Sequence, residues 1–73
     1  MNKTRRKAIE NLRDQLQALQ EELEGVMNEE ESYKDNLPEN MVNRIEQAEE
    51  AISYIDDALT HLIDAIDALE AIE

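Results

Sequence analysis

Ala51-Ile52-Ser53-Tyr54-Ile55-Asp56-Asp57-Ala58-Leu59-Thr60-His61-Leu62-Ile63-Asp64-Ala65-Ile66-Asp67-Ala68-Leu69-Glu70-Ala71 is a run of three heptads, each opening on an alanine directly before a branched aliphatic residue. Extended toward the N-terminus, the branched positions join a longer series: Ile45, Ala48, Ile52, Ile55, Leu59, Leu62, Ile66, Leu69. Steps of three and four place all of them on one narrow stripe of a helix, the pattern of a coiled-coil seam. The first half of the chain repeats the spacing with Ile9, Leu12, Leu16, Leu19, Leu23 and Val26. Between the runs lies Asp35-Asn36-Leu37-Pro38-Glu39-Asn40. Proline disfavours a helical residue before it, so the chain breaks there. The spacing predicts an all-α fold, an antiparallel two-helix hairpin of coiled-coil type forming one domain over residues 1–73. Helix one is expected over about 3–34, the turn over about 35–40 and helix two over about 41–72.

Local signals set the ends. Asn2 or Thr4 can cap helix one. Helix two starts between Pro38, suited to a first helical position, and Asn43, which with Glu46 has the spacing of a capping box. Gly25 falls off the seam, so a gentle bend is expected there and not a stop. Glu30 falls where the seam wants an apolar residue, so packing should loosen near the turn.

Ala51, Ala58 and Ala65, followed by Ile72, form a second stripe beside the seam of helix two, and helix one has no such alanine stripe. A wider apolar face suits a helix that touches two neighbours. These four residues are therefore the expected self-association site, and a homodimer forming a four-helix bundle, with helix two nearer its centre, is the expected assembly.

Composition narrows the function. A chain of 73 residues with no cysteine has neither disulfides nor a Cys-based metal site to support a small core. Met1 is followed by polar and basic residues with no apolar segment, so neither a signal peptide nor a membrane span is expected, and the location expected is cytoplasmic. The net charge of −12 repels nucleic acid and anionic membranes and would attract a basic protein surface. A solvated acidic exterior on the helices is the preferred reading of that charge. Lys3, Arg5, Arg6, Lys7 and Arg13 oppose the helix-one dipole. Folding back at Pro38 offers them Asp64, Asp67, Glu70 and Glu73 as partners, a reading preferred to a nucleic-acid arm. At the turn end carboxylates crowd with only Lys34 and Arg44 against them. Glu29, Glu30, Glu31, Tyr33, Glu46, Glu49 and Glu50 are the candidate partner-binding residues.

No catalytic set emerges. His61 could share a helix face with Asp57 and Asp64 as a weak surface metal site, but a lone off-seam histidine is more often simply exposed. Asp56-Asp57 and Glu49-Glu50 are sequence neighbours that point in different directions, so neither is an acid–base dyad. The expectation is a non-enzyme with no cofactor and no metal.

Asn36-Leu37-Pro38-Glu39-Asn40, then Ala48-Glu49-Glu50-Ala51-Ile52 and alanine-led heptads, with an opening Met1-Asn2-Lys3 and Arg5-Arg6-Lys7, resembles a group of small acidic helical-hairpin proteins from Firmicutes genomes and their prophages. Where that pattern starts helix two with Ser-x-x-Tyr, this chain has Met41-Val42-Asn43-Arg44-Ile45. The resemblance implies a small phage-associated protein that sequesters or inhibits a host protein, such as a defence factor. Carboxylates standing in for DNA phosphates are one mechanism. A purely structural assembly factor is the alternative.

Overall fold

The structure, a computed structural model, describes residues 1–72 and contains two helices, α1 (Lys3–Asp35) and α2 (Val42–Glu70). They lie side by side as an antiparallel hairpin, a rod with Cα extents of 59 × 15 × 11 Å. At the open end Arg6, Ile9 and Arg13 share a groove with Leu69, Glu70 and Ile72, and further along Leu19, Leu23 and Val26 meet Leu62.

Asn2 is the cap of α1. Its backbone is extended and its side-chain Oδ1 accepts a hydrogen bond from the Arg5 amide at 2.8 Å. That satisfies one of the donors a helix start leaves free. Helix two starts within the expected range, at Val42, but neither Pro38 nor Asn43 sets the start. Leu37 N donates to the Lys34 carbonyl at 3.1 Å, and Met41 N donates to the Pro38 carbonyl at 3.0 Å. Pro38 thus begins a tight turn and does not occupy the first helical position. Asn43 does not cap either, because α2 has already begun at Val42 with Met41 as its N-cap and no side-chain cap bond. The Met41 carbonyl instead takes the Ile45 amide as the first helical bond, at 3.0 Å.

α1 runs unbroken through Gly25, and a Cβ built there meets nothing within 4 Å. Gly25→Ala is therefore expected to stabilise the fold by about 1 kcal/mol, raising the melting temperature by roughly 4–8 °C. Thermal denaturation followed by circular dichroism checks this, and a lower melting temperature would show strain at that site.

The core belongs mainly to α2. Ala48, Leu59 and Ile66 are 2%, 5% and 5% exposed, and Ile45, Ile52, Ile55, Leu62 and Leu69 are half-buried. This is the seam read from the sequence. On α1 the register is different. Ile9, Leu16, Leu23 and Glu30 are half-buried as expected, but Leu12, Leu19 and Val26 are 52%, 52% and 50% exposed. The inward places beside the central row go instead to Arg13, Gln20, Met27 and Lys34, all half-buried. Residues three and four positions on lie on opposite sides of a helical row, so α1 is turned by about 50° from the expected seam. Arg13, Gln20 and Lys34 can occupy such places because their aliphatic stems cover apolar surface, although among the described residues the Arg13 Nε is buried without a hydrogen-bond partner.

Candidate functional site

The rotation of α1 makes the two sides of the rod chemically different. One side is polar. It carries the Arg13 row, and across the junction Gln17 Nε2 donates to Glu70 Oε1 at 3.4 Å. The other side is mainly apolar, with Glu22 at the edge of its groove. Leu12, Leu19, Val26 and Tyr33 run along α1 at heptad spacing, with Tyr33 46% exposed. Across an open groove floored by Leu23 and Leu62 lies the alanine stripe of α2. Ala58 and Ala65 are exposed, Ala51 is half-buried and Ile72 is partly exposed. Each of these alanines precedes an inward-facing isoleucine or leucine, which puts the stripe beside the Ile55–Leu62–Leu69 row. Both helices therefore contribute an apolar row to one face, whereas the sequence expectation credited helix two alone. The available signal was Tyr33, which continues the Leu12–Leu19–Val26 row by one heptad where the Ile9–Leu16–Leu23 row fails at Glu30.

The acidic turn end brings together most of the candidate partner-binding residues on exposed positions. Glu29, Glu31, Glu46, Glu49 and Glu50 are exposed, while Glu30 is half-buried on the line facing α2. Among the described residues neither Lys34 nor Arg44 makes an ion pair there. At the open end the expected charge matching between helices is not made. The ion pair among the described residues is Arg13–Asp14, two sequence neighbours 3.2 Å apart, and Arg6 and Glu70 border one groove without bonding. The expected partner Glu73 lies outside the described residues. Long side chains on surface helices gain little from being fixed in pairs, so proximity does not become contact.

A hairpin with net charge −12 and, among the described residues, no ion pair across its helices is destabilised by its own field. Raising the salt from about 0.01 M to about 1 M shortens the screening length from roughly 30 Å to 3 Å. The melting temperature should therefore rise with sodium chloride, and a fall would show that attractive pairs hold the hairpin.

His61, Asp57 and Asp64 are all exposed, and no group of three or more His, Asp or Glu among the described residues is placed to hold a metal ion. Tyr54 stands out into solvent one heptad before His61. Among the described residues no helix is long and apolar enough to cross a membrane. No protein-family model matches the chain, and no curated protein or solved structure matches it.

Proposed function

We propose that this chain is a non-catalytic protein-binding module that works as a homodimer. Two hairpins join through the apolar face into a four-helix bundle and present their acidic surface to a basic protein. One observation carries the reading: α1 keeps Leu12, Leu19, Val26 and Tyr33 half-exposed while Arg13, Gln20 and Lys34 occupy the inward places. A hairpin sufficient by itself would turn α1 the other way and bury the leucines.

Magnitudes support a partner on that face. The chain exposes 5701 Å², where a compact monomer of 8.4 kDa would expose about 4600 Å². The excess of about 1100 Å² is of the same order as the roughly 800 Å² each partner buries in a standard interface. Covering the exposed halves of the Leu12 row on two copies contributes on the order of 8 kcal/mol, comparable with the cost of association. The alanine stripe, which lets backbones approach closely, supplies further contact.

The acidic surface supports the second half of the reading. Side by side, two copies at −12 each would spread −24 along 59 Å, one charge per about 2.5 Å against about 1.7 Å in duplex DNA. Dimerisation thus brings the charge density near that of the polymer it would imitate before a DNA-binding protein. The resemblance to prophage proteins is the reason for naming a host defence factor as the target class. The competing reading, a purely structural assembly factor, rests on the same apolar face and assigns the carboxylates only to solubility. Affinity capture from the host separates them. A chain with Glu29, Glu31, Glu46, Glu49 and Glu50 changed to Gln should lose a stoichiometric partner that the unaltered chain retains, with salt-sensitive binding. Equal or absent capture by both chains would leave the assembly reading.

A further inference from the structure

We infer that the two copies pack in opposite directions, with α1 of one lying along α1 of the other about a two-fold axis at Leu19. This inference rests on the self-association proposed above and adds its geometry. Two arrangements bring the apolar faces together. If the rods point the same way, each α1 lies on the other copy's α2, and the two acidic turn ends coincide. If they point in opposite ways, like helices pack on each other and the ends are exchanged.

Charge along α1 separates the two, although the opposed packing also lays the two acidic α2 helices along each other. Residues 1–13 of α1's end of the chain carry five basic side chains against Glu10, whereas residues 21–35 carry seven acidic ones against Lys34. Opposed copies lay the basic segment of each α1 along the acidic segment of the other. Copies pointing the same way stack the two turn ends, where the carboxylates make no ion pair among the described residues. Like charges placed together suppress an arrangement and opposite charges fix its register.

The registers of both rows agree with the opposed packing. Leu19 is the midpoint of α1, Lys3–Asp35, so a two-fold there uses the whole helix. Leu19 meets Leu19 of the second copy, Leu12 meets its Val26, and Arg5, which heads the same heptad row, meets its Tyr33. Arg5 and Tyr33 are both exposed, and a guanidinium over a phenol ring is an attractive pair. Leu19 shares its groove with Leu62, so the same axis crosses α2 near that residue. It then falls between Ala58 and Ala65 and sets each against the other in the second copy. Two helices independently give one axis.

The chain has no cysteine, so single replacements report on the packing directly. Full-length Leu19→Cys, Leu12→Cys, Val26→Cys and Ala65→Cys chains would be treated with a short bismaleimide that spans the about 8–10 Å between packed helices. Sedimentation of each variant would be recorded alongside. The opposed packing predicts that Leu19→Cys links to itself. Leu12→Cys and Val26→Cys should stay unlinked alone and link when mixed. If Leu19→Cys fails to link to itself but links to Ala65→Cys, the copies point the same way and the inference is overturned, while the dimer stands. If dimers sediment and none of these chains links, the face is wrong. If every variant and the unaltered chain sediment as monomers, the self-association reading fails as well.

Discussion

Leu19→Glu is expected to abolish the proposed dimer, weakening association by about a thousandfold, or roughly 4 kcal/mol. Leu19 is the centre of the exposed α1 row and is 52% exposed in the hairpin. Within one chain the substitution therefore costs little. Between two chains it removes apolar contact from both copies and places two carboxylates opposite one another at the axis. Sedimentation velocity should show the variant at monomer mass where the unaltered chain is dimeric. Circular dichroism at high protein concentration should still report helix. A variant that dimerises as well as the unaltered chain would remove the apolar face from the account.

Leu59→Ala is the second large effect, and it acts within the hairpin. Leu59 is 5% exposed, one of the three buried residues of α2. Truncating a buried leucine costs about 2–5 kcal/mol through lost transfer energy and the remaining cavity. A domain of this length has a total stability of only roughly 4–11 kcal/mol. The melting temperature should fall by about 10–30 °C, measured by circular dichroism at fixed concentration. Ala58→Ser, one residue away on the exposed stripe, provides the contrast, with little change in melting temperature in dilute solution. If both variants melt like the unaltered chain, the core has been placed on the wrong residues.

The two helices were not equally legible in the sequence. In α2 the inward row is also the most apolar row, and its neighbours Glu49, Asp56 and Glu70 are charged, so periodicity alone assigns Ile45 to Leu69. In α1 the central row from Ile9 to Leu23 is flanked on one side by Leu12, Leu19 and Val26 and on the other by Arg13, Gln20 and Met27. Periodicity chooses the apolar flank. The hairpin uses the other, because burial of α1 is divided between α2 and a face left open. A heptad pattern records that a residue is meant to be covered, not which helix covers it.

The turn was hard to read for a related reason. Pro38 and the Asn43–Glu46 pair both resemble helix starts, but hydrogen bonds from Met41 and Ile45 amides decide the start, and backbone bonds leave little mark on composition. The acidic candidates were legible as a cluster. Glu29, Glu31, Glu46, Glu49 and Glu50 are exposed, and of these candidates Glu30 alone is half-buried on the line facing α2. The basic end was legible only as charge, and its partners were not, since exposed ion pairs follow side-chain conformations that spacing does not fix.

The central claim is that the face bearing Leu12, Leu19, Val26 and Tyr33 is covered by a second copy of this chain. Sedimentation equilibrium of the unaltered protein from about 1 to 100 µM, a range spanning the affinities expected of a standard interface, tests it most directly. A single species at twice the 8.4 kDa chain mass is expected, reached at the upper concentrations and not exceeded. A helical species that stays at 8.4 kDa throughout would contradict it.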